Sequence, residues 1–210
     1  FDAAVESGAA GIELDIQLTR DCVPAIYHDA TLEKAGMPQK SVADVSAREL
    51  RKLDVGKWFS STFKGEQMPS LNHVLTRYAQ KVSLLLEIKA NQNNPERDLQ
   101  LAEMVTGEVK KRRLGKQVYV LSFSLPVLER VRHVDPKLRC VLNMRKRPRM
   151  TRAWFKRHRF IHALSISVRA LTPSFASRAH DHGFKVATYT SNNRKQVDLA
   201  LVSGVDLLMT

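Results

Sequence analysis

The sequence predicts an α/β protein built on a mainly parallel sheet. From residue 82 onwards, apolar segments of strand length alternate with amphipathic segments of helix length. Each helix then separates two strands, as the crossover between parallel strands requires. The 210 residues are 43% hydrophobic and 26% charged. This composition is typical of a globular domain and excludes a disordered or fibrous chain.

The first elements predict a strand and a hairpin. Residues 11–17 alternate apolar and polar side chains, which is the period of a strand. A short polar turn leads to a second strand at 24–28. Because this connection is too short for a parallel crossover, we expect the two strands to pair antiparallel. Helices are then predicted at 42–53, with Ser41 as N-cap, and from Ser70 to about residue 80.

The remainder is more regular. Strands are predicted at 82–89, 117–123, 138–144, 161–168, 185–189 and 205–209. Helices are predicted at 95–114, 126–134, 150–158, 174–182 and 193–202. Two architectures fit this order, a doubly wound open sheet and a closed (β/α)8 barrel. The absence of a glycine-rich phosphate loop after any strand disfavours the nucleotide-binding open sheet. A barrel needs eight strands, whereas seven suit crossovers, so we expect the eighth to precede Phe1.

Several polar side chains lie near predicted strand ends, where barrel enzymes place their active sites. Glu13 and Asp15 are two residues apart on one strand, Glu87 and Lys89 repeat this spacing on another, and His28 ends the hairpin. Three converging carboxylates require a cation, and their hard oxygen atoms select Mg²⁺ or Ca²⁺ over zinc. A lysine suits a phosphate oxygen and a histidine suits proton transfer. Together they indicate metal-assisted cleavage of a phosphoester.

Each feature alone also has a plain structural interpretation. The paired acids could face solvent at a sheet edge, the Glu-x-Lys pair could be an exposed ion pair, and His28 could be an ordinary surface or core histidine. The two cysteines, Cys22 and Cys140, are too few for a disulfide framework. No apolar run approaches 18 residues, which excludes a transmembrane helix.

These motifs resemble the glycerophosphodiester phosphodiesterase family. Residues 8–29, GAAGIELDIQLTRDCVPAIYHD, are similar to the family signature, in which T-x-D-x-x-P separates an E-x-D strand from an H-D hairpin. Weaker matches follow in the family's order at 47–53, 68–71, 86–89, 122–123, 189–192 and 204–210.

The resemblance implies a TIM (β/α)8 barrel of the phosphatidylinositol-phosphodiesterase-like kind. It also implies hydrolysis of glycerophosphodiesters to an alcohol and glycerol 3-phosphate. By motif match, Glu13, Asp15 and Glu87 would hold a divalent metal, Mg²⁺ or Ca²⁺. His28 would be one of two general acid/base histidines, and Lys89 would act in catalysis by contacting phosphate.

The resemblance extends to the later strands and to the chain ends. Tyr189 would take the place of an aromatic residue lining the glycerol side of the pocket, and Phe123 would also contact substrate. The family's first strand carries His-Arg-Gly, which would precede Phe1. We therefore expect a single barrel domain over 1–210, truncated at both ends. This piece alone would lack the second catalytic histidine and be inactive, unlike the complete protein.

The charge leaves other functions open. The chain carries a net charge of +13, and its densest basic segment is 145–159. This segment could be a solvated surface, or it could attract anionic substrates or an anionic membrane surface. Nucleic acid is disfavoured, since only Trp154 and Phe155 interleave the basic residues and no recognition motif is present. The alternatives are a related barrel phospholipase acting on intact lipids and a catalytically inactive module that binds anionic surfaces.

Overall fold

The computed structural model describes residues 1–90 and 94–210, which form two compact units, Phe1–Tyr119 and Val120–Thr210. The first unit contains helices α1 (Asp2–Glu6), α2 (Ala47–Leu50), α3 (Leu71–Tyr78) and α4 (Pro95–Lys111) and strands β1 (Gly11–Leu18), β2 (Pro24–Ile26) and β3 (Ser83–Ile88). Strand β4 (Val118–Ser122) follows. No helix among the described residues is long and apolar enough to cross a bilayer. That the chain is a single domain stays a prediction.

Strand β1 is the centre of the first unit. It pairs antiparallel with β2, with Ile16 opposite Ile26, so the predicted hairpin is confirmed. On its other side it pairs in parallel with β3, from Gly11 opposite Ser83 to Ile16 opposite Ile88. Because side chains alternate between the faces of a strand, six apolar residues of the two strands share one face, whereas Leu85 lies on the other, opposite Glu13. These six residues are Ile12, Leu14, Ile16, Leu84, Leu86 and Ile88, all buried.

The prediction of one helix over 42–53 is wrong. A single 3-10 turn covers Val42–Asp44, the backbone is extended at Val45 with φ −128° and ψ 153°, and α2 begins only at Ala47. Two consecutive capping boxes explain the break. Asp44 accepts hydrogen bonds from the backbone and hydroxyl of Ser41, and Glu49 does the same for Ser46.

An N-cap residue has an extended backbone, so the second cap cannot lie inside a continuing helix. The interruption also buries Val45. Its side chain joins a small apolar core formed by Ala25, Leu32, Val42, Val45, Leu50 and Met68.

The second unit repeats strands and helices in regular alternation. Its helices are α5 (Leu125–Val134), α6 (Arg152–Arg157), α7 (Pro173–Asp181) and α8 (Arg194–Val202), and its strands are β5 (Arg139–Met144), β6 (Ile161–Ser167), β7 (Lys185–Tyr189) and β8 (Leu207–Leu208). Strands β5 to β8 pair in parallel, each with the next. These elements confirm the predicted alternation, although β8 and α6 are shorter than predicted.

Asp206 ties the last strand pair of this unit to α7. Its carboxylate accepts hydrogen bonds from Lys185 Nζ at 2.7 Å, from the Val186 backbone N–H at 2.8 Å and from His180 Nε2 at 2.8 Å. Burial opposes ionisation of Asp206, but these three bonds outweigh it and lower its pKa to about 2. The charged form of Asp206 therefore stabilises the folded unit.

We expect Asp206→Asn to lower the free energy of unfolding by about 2 kcal/mol at neutral pH, because the pKa of Asp206 falls on folding. A folded-state pKa below the unfolded value of 3.8 gives stability that is complete above about pH 4 and lost towards pH 2. Urea unfolding of both proteins across this range checks the expectation. Asp198→Asn is the matched control, since the ion pair of Asp198 with Arg194 is exposed and surface pairs contribute little. If the difference in unfolding free energy between the parent and Asp206→Asn grew as the pH fell, this account would be contradicted.

Candidate active site

Three carboxylates meet near the carboxyl ends of β1 and β3. Glu13 and Asp15 lie on the face of β1 opposite its apolar residues, and the parallel register places Glu87 directly beside Asp15. One oxygen atom from each of the three carboxylates lies within 4.8 Å of the other two. Asp15 is 8% exposed and Glu87 is 7% exposed. The structure thus brings together the three residues predicted as metal ligands.

Burial and the crowding of negative charge both raise pKa values in this cluster. Loss of water around its carboxyl, followed by repulsion from Asp15 and Glu87, raises the pKa of Glu13 to about 8. Glu13 as a whole residue remains exposed. Burial likewise raises the pKa of Glu87, against the opposing effect of Lys89. Three negative charges therefore persist here only beside a cation.

Lys89 supplies positive charge to this cluster. Its Nζ lies 2.7 Å from Asp15 Oδ1 and 3.0 Å from Glu87 Oε1. Burial alone would lower the pKa of Lys89, but the bonds to the two carboxylates raise it above its ordinary value. The ammonium therefore remains protonated at neutral pH and occupies the oxygen atoms that a metal ion would use. Its predicted contact with phosphate stays a prediction.

His28 lies beside the cluster on the loop after β2. Its Nδ1 is 2.7 Å from Asp29 Oδ1, and Asp29 Oδ2 accepts a second bond, of 2.9 Å, from Lys34 Nζ. The bond from His28 and then that from Lys34 lower the pKa of Asp29, which keeps it ionised. Because an ionised carboxylate only accepts hydrogen bonds, Nδ1 carries the proton and Nε2 is left to exchange protons. The His28 side chain is 75% exposed, so solutes reach it.

Lys34 connects this histidine pair to an exposed aromatic loop. Its Nζ, while bonded to Asp29, also lies 4.1 Å from the centroid of the Trp58 ring. Trp58 contacts Phe59 edge-on and is itself 51% exposed. The ring therefore holds the lysine by a cation–π contact.

Gln17 is a residue of this site that the sequence analysis missed. Its Nε2 donates hydrogen bonds of 2.7 Å to Tyr27 O and 2.9 Å to Asp29 O. These two carbonyls flank His28, so one side chain fixes the backbone on both sides of the histidine. The alternation along β1 contained the signal, since Gln17 follows Glu13 and Asp15 at the same two-residue spacing.

A cavity of about 620 Å³ adjoins the cluster within the first unit. Its wall includes His28 and Lys89, together with Gln17 and the basic side chain of Arg97. The combination of volume, positive charge and a proton-exchanging group suits a small anionic ester.

Phe123 and Tyr189, the two predicted substrate contacts in the later strands, lie together in the second unit. Their ring centroids are 6.1 Å apart and their planes are nearly perpendicular, at 89°. The Tyr189 hydroxyl donates a 2.8 Å hydrogen bond to the Met144 carbonyl. The structure therefore pairs these two rings, and their role towards substrate stays a prediction.

The geometry of the site first indicates the class of enzyme to which this protein belongs. Acidic side chains at the ends of parallel strands, beside a lysine, a histidine and a cavity, are the features of an α/β barrel enzyme acting on phosphate esters. The chain belongs to the glycerophosphoryl diester phosphodiesterase family, whose model matches residues 1–210. It is therefore a phosphoric diester hydrolase that acts on glycerophosphodiesters.

Individual relatives and solved structures of this family also match the whole chain or nearly all of it. A glycerophosphodiester phosphodiesterase of Caldanaerobacter subterraneus is 27% identical over 213 residues, covering 100% of this chain and 85% of that protein. A solved glycerophosphodiester phosphodiesterase from Parabacteroides distasonis matches 100% of this chain and 82% of its own, with TM-score 0.82 and 23% identity. An Oleispira antarctica phosphodiesterase, solved with the product sn-glycerol-3-phosphate, matches 99% of this chain and 83% of its own, with TM-score 0.82 and 23% identity. The solved structures confirm the predicted α/β TIM-barrel fold.

We expect a divalent cation to stabilise the full-length protein through the carboxylate cluster. Saturating Mg²⁺ or Ca²⁺ should raise the melting temperature by about 5 °C, since a ligand that binds only the folded state stabilises it. The double variant Glu13→Gln/Glu87→Gln should show no such rise in a thermal scan. Glu6→Gln, on exposed α1, is the control and should respond as the parent does. An equal rise in the double variant would place metal binding elsewhere.

Proposed function

We propose that the hydrolysis of glycerophosphodiesters by this protein releases glycerol 3-phosphate and an alcohol, with a divalent metal ion and His28 as the reacting groups. The observation that carries the proposal is the meeting of three carboxylates beside a cavity that His28 and Lys89 line. A relative solved with sn-glycerol-3-phosphate as its product supports the choice of product.

Glu13, Asp15 and Glu87 would hold the metal ion. A set made only of carboxylate oxygens suits Mg²⁺ or Ca²⁺ better than zinc. When bound, such a cation withdraws charge from phosphate oxygens and lowers the pKa of a coordinated hydroxyl. The raised pKa values of Glu13 and Glu87 support this assignment: burial and then repulsion by neighbouring carboxylates raise them, and a bound cation would favour the charged forms.

Lys89 would change partners when the metal ion binds. A divalent cation competes with its ammonium for the oxygens of Asp15 and Glu87, to which it is bonded at 2.7 and 3.0 Å. Because Lys89 also lines the cavity, the released ammonium would bind a phosphate oxygen of the substrate as a point charge.

His28 would transfer a proton through Nε2. Asp29 keeps the other ring nitrogen protonated and stabilises the charged ring that forms when Nε2 accepts a proton. As one of two acid/base histidines, His28 would either take the proton of the hydroxyl that forms the new bond to phosphorus or give a proton to the alkoxide as its bond to phosphorus breaks. Phe123 and Tyr189 would provide the apolar surface for the carbon skeleton of the substrate.

The function is tested by assaying glycerol 3-phosphate release from several glycerophosphodiesters with the full-length protein. EDTA should abolish release, Mg²⁺ or Ca²⁺ should restore it, and Glu87→Gln should reduce it about a hundredfold or more because a metal ligand is lost. Glu6→Gln should retain full activity. Release that persists in EDTA, or folded protein that cleaves no substrate with any metal, would contradict the proposal.

Gln17 should act through His28, because the two carbonyls that accept its hydrogen bonds lie on either side of that residue in the chain. We expect Gln17→Met to lower kcat about tenfold with little change in KM, and His28→Ala to lower it about 10²–10⁴-fold. The double variant should be no slower than His28→Ala alone, because both changes impair the same function, that of His28. Steady-state kinetics checks this, with Gln39→Met, at an exposed position, as control. Additive effects in the double variant would show that Gln17 acts independently of His28.

A further inference from the structure

The densest group of positive charge lies in the second unit and includes none of the residues assigned to the chemistry. We call it the basic patch. It consists of eight exposed side chains in the loop after β5, on α6 and just beyond α6: Arg145, Lys146, Arg147, Arg149, Arg152, Lys156, Arg157 and Arg159.

The charge of the basic patch is not neutralised locally. The sequence contains no aspartate or glutamate from residue 136 to residue 180. Within the described part of the chain, none of the eight side chains forms an ion pair, whereas Lys185 and Arg194 in the same unit do. The side-chain contacts that the structure does show are neutral: Arg147 donates to Thr172 Oγ1, and Arg145 lies over the Phe123 ring.

The inner side of α6 is held firmly in place. Phe155 is buried and stacks on the His182 ring at a centroid distance of 3.8 Å. Trp154 contacts His158, whose Nδ1 bonds to the Trp154 carbonyl at 2.7 Å. Thr151 caps the helix. The aromatic residues of the segment are therefore engaged in packing.

The outer side of α6 carries positive charge. Arg152 and Lys156 have the spacing i, i+4, which places them on one side of the helix, and Arg159 follows in the turn after it. All three are exposed.

We propose that the basic patch docks this protein on the surface of an anionic phospholipid bilayer. A bilayer presents a broad plane of phosphates, which matches a cluster of unpaired cations and needs no specific contacts. Single-stranded nucleic acid is bound through exposed aromatic rings on which bases stack. The rings in this segment are packed against the protein, so the observations favour a lipid surface.

The chemistry of the substrate supports the same partner, an argument that rests on the proposed function. A glycerophosphodiester is what remains of a glycerophospholipid after both acyl esters are hydrolysed. The class of reaction that supplies the substrate is therefore carboxylic ester hydrolysis at a membrane. Docking there places the enzyme where its substrate is released.

The experiment is co-sedimentation of the full-length protein with phosphatidylcholine vesicles, with or without about 30% phosphatidylglycerol. Binding should require the anionic lipid and disappear between about 0.1 M and about 1 M salt, where screening shortens the reach of charge. Arg152→Gln/Lys156→Gln/Arg159→Gln should weaken binding about a hundredfold, roughly fivefold for each charge removed. Lys146→Glu/Arg149→Glu, in the loop, repeats the test without altering α6.

The control is Lys40→Gln/Lys81→Gln/Lys195→Gln, which removes the same charge from three dispersed exposed lysines. It should bind vesicles as the parent does. Equal weakening in this control, no binding to anionic vesicles, or tighter binding to a DNA duplex than to the vesicles would each overturn the proposal. Turnover of water-soluble glycerophosphocholine should be unchanged in both patch variants. Vesicle binding without turnover in the parent would instead count against the proposed function alone.

Discussion

The repulsion among three neighbouring carboxylates is the constraint on which the first unit depends. The parallel register of β1 and β3 sets Asp15 beside Glu87, and the two-residue period of a strand adds Glu13 to the same face. Such an arrangement is unfavourable for folding by itself, as the raised pKa values of Glu13 and Glu87 show. The apolar face of the same two strands offsets this cost, because its leucine and isoleucine side chains are fully buried.

The charge of Lys89 partly balances this arrangement, since it lowers the pKa values that burial raises. One ammonium lies 2.7 Å from Asp15 and 3.0 Å from Glu87 and offsets part of the negative charge of the cluster. In the proposed function, the lysine and a divalent cation would be alternative partners for the same oxygen atoms. Binding of the cation would then leave the ammonium of Lys89 available to the cavity that it lines.

Much of the fold and of the site was predictable because it follows from periodicity. Alternation predicted β1 and β3, and hence the meeting of Glu13, Asp15 and Glu87. The break at Val45 was not predicted, since two capping boxes compete with a helical pattern that extends across both. The hydrogen bonds of Gln17 and of the Tyr189 hydroxyl were not predicted either. Sequence spacing indicates which face a side chain occupies, but the atom that it bonds depends on how the loops fold back.

The contact of Lys34 with both Asp29 and Trp58 has a consequence for how this protein can diverge. The aromatic loop contacts the His28–Asp29 pair through the ammonium of Lys34, which lies 2.9 Å from the Asp29 carboxylate and 4.1 Å from the Trp58 ring centroid. Phe59 packs against Trp58, and Phe63 packs against Phe59, so these exposed rings reach the lysine through Trp58. Trp58 itself is constrained, because its ring helps to set the position of the cation that balances His28 and Asp29. A substitution at Trp58 therefore acts on the His28–Asp29 pair through Lys34, whereas one at Phe59 acts on it through Trp58 first.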